Sequence, residues 1–139
     1  MRVAQAKELG ARKAIVLPVS VAAHSPLMAE AANGMRLVLA DVEFRDPVIP
    51  LLANADARPI TTADAARAEL VEHLTAGVDW VAAVERMTAA GVTTFVEVGP
   101  GRVLTGLIKR IAPDAEGIAL DDSSASHRLA VPFVTTATA

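Results

Sequence analysis

Cysteine is absent from all 139 residues, which removes disulfides, thiolate nucleophiles and cysteine-based zinc sites and fits a reducing compartment. Basic residues are nearly balanced by acidic ones, 13 Lys and Arg against 16 Asp and Glu, and form no block. The electrostatic footprint of a nucleic-acid or anionic-membrane binder is therefore missing. No run approaches the roughly 20 apolar residues of a membrane span. The opening Met1–Gly10 alternates charge with small apolar residues instead of forming a leader, so the expected location is the cytoplasm. Internal repeats and a dividing linker are lacking too. What remains is a chain that is 53% hydrophobic and 21% charged, with both signs mixed. That is the balance of an ordered globular protein, long enough to bury roughly two-thirds of its unfolded surface.

The order of segments predicts an α/β protein. Val3–Leu9 has helix-forming composition and stops at Gly10, a residue suited to a left-handed helix end. Ala14-Ile15-Val16-Leu17, closed by Pro18, reads as a buried strand. From Pro26 to about residue 41, apolar residues at Leu27, Ala31, Met35, Val38 and Val42 predict a striped helix with proline in its first turn. Val48–Ala53 reads as a strand that Pro50 confines to an edge or a bulge. Thr61-Thr62-Ala63-Asp64 offers a hydroxyl cap to a helix running through Leu74. A second helix follows over Asp79–Ala90, striped by Val81, Val84 and Met87 and closed by Gly91. Thr93–Val98 is a β-branched strand. Gly99-Pro100-Gly101 then leads to a helix with Val103, Leu104, Leu107, Ile108 and Ile111 on one face. Ile118–Leu120 completes the series as a last short strand, and the aperiodic residues 121–139 read as a poorly ordered tail. Strands alternating with helices imply a mainly parallel sheet of three or four strands.

One histidine stands out, because His24 lies between the apolar run ending at Pro18 and the new helix at Pro26. By position alone it is a partly buried residue at a loop-to-helix junction. The stretch Pro18-Val19-Ser20-Val21-Ala22-Ala23-His24-Ser25-Pro26-Leu27-Met28 is one of three motifs, with Val78-Asp79-Trp80 and Phe95-Val96-Glu97-Val98-Gly99-Pro100-Gly101-Arg102-Val103-Leu104. In this order and spacing the chain resembles malonyl-CoA:acyl carrier protein transacylase and the acyltransferase domains of polyketide and fatty acid synthases. The resemblance runs from Met1 to about Leu120 and covers the C-terminal portion of that family.

The resemblance implies a fold, a reaction and a truncation. Residues 1–18 correspond to the last helix and strand of a ferredoxin-like subdomain. Residues 19–120 correspond to the C-terminal part of a large, three-layer, α/β-hydrolase-like subdomain. In the family a serine in a Gly-x-Ser-x-Gly elbow attacks the malonyl thioester, and a histidine accepts its proton. Such a pair is required because a serine hydroxyl is a poor nucleophile without a neighbouring base. His24 occupies the histidine position and is the expected general base. His73 falls where the family, usually with glutamine, offers a backbone carbonyl to orient the catalytic imidazole; read without the family, it is a solvated helix histidine.

No cofactor or metal is implied. The substrates are malonyl-CoA and the phosphopantetheinylated acyl carrier protein, which is also the expected protein partner. In this resemblance Val21-Ala22-Ala23, just before the histidine, is closer to the small residues of the free-standing bacterial enzymes, which favours malonyl, while Ala23 leaves space that a methyl-branched extender could enter.

Half of that site is not in the sequence. None of the five serines, Ser20, Ser25, Ser123, Ser124 and Ser126, has glycine two residues away on both sides. Ser25 adjoins His24 and reads as a helix-cap residue. Arg58, Arg67, Arg86 and Arg102 do not fall where the family's malonyl-binding arginine lies, and the glutamine segment of its oxyanion hole is also missing. The chain alone is expected to be inactive, and a separate N-terminal half carrying the serine is among the partners the resemblance allows. The alternative is a non-catalytic α/β interaction module derived from an acyltransferase. Among the other candidates, Gly99-Pro100-Gly101 is a tight strand-to-helix corner more than a phosphate cradle, since it lacks Gly-x-Gly-x-x-Gly and Walker patterns. Trp80 reads as a core anchor. Glu69, Glu72, Asp79 and Glu85 read as a solvated face, and His127 has no assigned role.

Overall fold

The computed structural model describes residues 3–16 and 19–120, a mixed α/β arrangement. The Leu17-Pro18 end of the first expected strand, the 121–139 tail and His127 lie outside the described residues. Helix α1, Val3–Glu8, ends as its composition predicts: Gly10 takes φ 87°, and the Ala11 N–H reaches back to the Ala6 carbonyl at 2.9 Å. Ala14, Ile15 and Val16 do not form the expected strand. A strand exists only where another edge accepts its hydrogen bonds, and Ile15 and Val16 are left largely exposed.

A short 3-10 turn, Pro26–Met28, opens into α2, Ala29–Ala40. The buried face of α2 is Ala32 and Leu39, not the expected stripe, whose Leu27 and Val38 are exposed. Most of the circumference of α2 is apolar, so periodicity permits more than one face, and packing against α3, Ala63–Glu72, selects among them. Arg67 of α3 secures the exit from α2: its Nη2 donates to the Val42 carbonyl at 3.0 Å and its guanidinium lies 5.0 Å from the Phe44 ring centre. The expected hydroxyl cap of α3 is present, with Thr62 accepting from the Ala65 N–H, and Asp46 takes the Ala63 N–H at 2.8 Å.

The mainly parallel sheet is replaced, among the described residues, by two separate two-stranded ladders. Strand β1 is only Leu51–Leu52 and pairs antiparallel with β2, Pro59–Ile60, in the register Leu51 to Ile60. Pro50 has no N–H to offer a ladder. Beyond Ala53 the chain turns back sharply, with Ala57 at φ 55° and the Asp56 carboxylate accepting the Arg58 N–H at 3.1 Å. The second ladder is parallel, β3, Thr94–Glu97, beside β4, Glu116–Ala119, with Phe95 opposite Gly117. Between them run α5, Val103–Ile111, and before them α4, Trp80–Ala89. Val84 of α4, Phe95 of β3 and Ile108 of α5 form the core, with Trp80, Met87 and Ile111 against it, so Trp80 is the anchor expected. Gly117 permits this packing, because a Cβ there would lie 2.9 Å from Thr105 Cγ2 of α5.

Candidate active site

His24 sits in a turn before the Pro26–Met28 helix with φ 58°, in the left-handed region that a non-glycine residue occupies at a cost. It is exposed rather than partly buried. Its Nδ1 donates to the His73 carbonyl at 2.7 Å, across 49 positions of sequence. A carbonyl can only accept, so in the neutral ring the hydrogen lies on Nδ1 and the lone pair on Nε2 faces away. The two imidazoles have centroids 5.7 Å apart at 45°. Ser25 stands at the N-cap position, but its hydroxyl donates back to the Ala22 carbonyl at 2.7 Å and caps nothing. The expected capping role is not realised, because no backbone N–H of the following turn donates to the Ser25 hydroxyl.

The His73 carbonyl is available because it belongs to the last turn of α3, where helix carbonyls lose their intrahelical donors. His73 is the C-cap residue of α3, partly buried. Its own Nδ1 donates to the Glu69 carbonyl at 2.8 Å, and its N–H to the same oxygen at 3.0 Å. Glu69 itself corrects the reading of a solvated acidic face: it is 6% exposed, and its Oε1 accepts the Asn54 N–H at 2.8 Å while Oε2 lies 3.3 Å from Arg58 Nη2. The carboxylate thereby ties the turn after β1 to the end of α3 that carries His73. One signal could have revealed it: Glu69 is four residues before His73 and shares its helix face. Asp79 is also more than a solvated acid, since it caps α4 by accepting the Ala82 N–H at 3.0 Å.

Arg58 is committed within the fold. It contacts Glu72 at 2.7 Å and Asp56 at 3.3 Å, and these partners, Glu72 first, hold its guanidinium pKa above the ordinary value. The Arg58 N–H in turn lowers the Asp56 carboxyl below its usual range. At the Gly99-Pro100-Gly101 corner, Gly99 and Gly101 take φ 142° and 93°. The first-turn amides of α5 that a phosphate would need are already engaged. The Glu97 carboxylate accepts from the Leu104 N–H at 3.1 Å and from the Thr105 N–H and hydroxyl at 2.7 Å each. These donors, the Thr105 hydroxyl first, lower the Glu97 carboxyl below its usual range. Among the described residues no group of three His, Asp or Glu side chains is arranged to hold a metal ion, and no helix is long and apolar enough to cross a membrane.

Fold and site together define a mixed α/β domain that presents an exposed histidine whose Nδ1 is held by a helix-end carbonyl. Over 122 residues the chain is 44% identical to malonyl CoA-acyl carrier protein transacylase of Escherichia coli K12, a match spanning 88% of this chain and 40% of that protein. The crystal structure of the malonyl-CoA:acyl carrier protein transacylase of Xanthomonas oryzae superposes with a TM-score of 0.84 at 38% identity, over 91% of this chain and 40% of that one. A solved complex of a type II PKS acyl-carrier protein with its malonyl-transacylase matches with a TM-score of 0.79 at 41% identity, over 86% of this chain and 38% of that one. No family model matches the chain. The protein is homologous to the malonyl-CoA:acyl carrier protein transacylase family and spans about 40% of the length of the relatives it matches.

Proposed function

We propose that this chain supplies the C-terminal portion of a malonyl-CoA:acyl carrier protein transacylase, with His24 as general base and the His73 carbonyl as its orienting partner. In this reading residues 1–18 end a ferredoxin-like subdomain, residues 19–120 belong to an α/β-hydrolase-like large subdomain, and the enzyme works in the cytoplasm. The observation that carries it is the 2.7 Å contact between His24 Nδ1 and the His73 carbonyl, which leaves Nε2 free to accept a proton. A serine contributed from outside these 139 residues attacks the malonyl thioester carbonyl as Nε2 takes its proton. The C–S bond breaks and the CoA sulfur leaves with that proton, giving a malonyl-serine ester. The carrier protein's phosphopantetheine thiol then attacks the ester, losing its proton to Nε2, and the serine oxygen departs and regains a hydrogen. His24→Ala, tested with the portion of the Escherichia coli relative beyond the matched 40%, should lower malonyl transfer by about 10²–10⁴-fold. Unchanged transfer would show that His24 is not the base.

One observation favours a second reading, a non-catalytic interaction module: no serine in the chain is flanked by glycines in the elbow pattern. Carrier-protein binding without transfer, even with the complementary portion present, would select it.

A further inference from the structure

Two imidazoles stand at the site, and the proposed reaction uses only one of them. Each ring gives its Nδ1 hydrogen to a backbone carbonyl, His24 to that of His73 at 2.7 Å and His73 to that of Glu69 at 2.8 Å. In the neutral rings both Nε2 atoms therefore carry a lone pair. A carbonyl that holds one ring nitrogen, fixing the tautomer and the orientation of the ring, is the arrangement found behind metal-binding histidines. The two ring centres are 5.7 Å apart, with the planes tilted by 45°. With Zn–N bonds of about 2.0–2.1 Å and a near-tetrahedral angle, two imidazoles on one zinc ion hold their centres roughly 5–6 Å apart. The observed spacing falls within that range. His24 is exposed and His73 partly buried, so the pair is open to ions from solvent. The neighbouring carboxylates are committed elsewhere. Glu69 accepts the Asn54 N–H and lies against Arg58, and Glu72 contacts Arg58 at 2.7 Å. The pair thus offers two nitrogen ligands, with water to complete the shell, which makes a reversible site rather than a structural one. Imidazole nitrogen suits zinc and its neighbours in the first transition row, whereas Mg²⁺ and Ca²⁺ demand oxygen.

We infer that His24 and His73 together form a binding site for Zn²⁺, held by their two Nε2 atoms, and that the ion silences His24 by taking the lone pair that would accept a proton. The binding stands on the geometry of the pair, while its inhibitory consequence rests on the proposed function.

The test is to titrate Zn²⁺ into the full chain by calorimetry while following the imidazole resonances by NMR. One ion should bind per chain, shifting both rings together, and excess Mg²⁺ should not compete. His24→Ala and His73→Gln should each weaken binding about tenfold or more, whereas His127→Ala, at the third and last histidine of the chain, should leave it unchanged. His73→Gln keeps the backbone carbonyl that His24 donates to, so a loss there identifies the imidazole itself as a ligand. With the complementary portion of the Escherichia coli relative present, saturating Zn²⁺ should abolish malonyl transfer and a chelator should restore it. Zinc bound at the pair with transfer unaffected would keep the metal site and sink the reading of His24 as the base. Transfer that depends on His24, in a chain that binds no zinc, would do the reverse. No binding, binding that survives either site variant, or binding that is lost with His127→Ala would overturn the inference.

Discussion

His24 holds a backbone conformation that favours glycine, with φ 58°, at the position where the proposed chemistry needs an imidazole. Strain of this kind persists where surrounding contacts over-determine it, and here the restraint is the bond to His73. Replacing the histidine by glycine should therefore give a protein about 1 kcal/mol more stable than the alanine variant, since alanine keeps the Cβ clash and glycine does not. Urea denaturation of the two variants decides it, and equal midpoints would mean that the turn carries no strain. Gly117 makes the opposite case. Alanine there would press against Thr105 Cγ2 at 2.9 Å and should cost about 1–3 kcal/mol. Thr105→Ser removes the offending methyl and keeps the hydroxyl that Glu97 accepts, so the double variant should recover most of the loss, as a double-mutant cycle would reveal.

At the scale of elements, two carboxylates join pieces that sequence leaves apart. Glu97, at the end of β3, caps α5 by accepting two amides and a hydroxyl, and those bonds lower its folded pKa. A lowered folded pKa means that its contribution to stability is complete above the ordinary glutamate range and fades as pH falls through the folded value. Glu97→Gln should flatten this acid-side loss in a series of unfolding curves taken from neutral pH downward; an unchanged slope would assign the acid sensitivity to other groups. Glu69 joins the turn after β1 to α3. Glu69→Ala strips the Asn54 N–H of its acceptor and should cost about 1–3 kcal/mol, with the His24 and His73 ring resonances shifting because the end of α3 that places them is released. A loss of stability with both rings unmoved would confine Glu69 to packing.

For the whole molecule, the core is small. Among the described residues only Val84 of the large side chains is fully buried, while Val48, Leu27, Val98 and Leu9 are each at least 80% exposed. Such a chain should unfold alone in a broad, low-enthalpy transition that sharpens when the complementary polypeptide is bound, because coupling to a larger core adds cooperativity. Calorimetry of the free chain showing one sharp reversible transition would contradict this.

Local structure was legible where the physics is local. The Thr62 cap, the Gly10 stop, the β-branched strand at Thr94–Glu97 and the helix beyond Gly101 follow from side-chain shape, hydroxyl chemistry and backbone freedom, which neighbouring residues determine on their own. The order of motifs around His24, Val78-Asp79-Trp80 and Gly99-Pro100-Gly101 likewise carried the family resemblance before any fold was in view. Three things waited for the tertiary structure. The buried face of α2 depends on which helix packs against it, and α3 chose Ala32 and Leu39. The expected strand at Ala14–Leu17, described from Ala14 to Val16, and the longer one at Val48–Ala53 needed partners, and pairing is a property of two segments, not of one. The burial of Glu69 and the meeting of His24 with His73 across 49 residues arise only when chain reversal closes a long loop, a contact whose geometry no local pattern encodes.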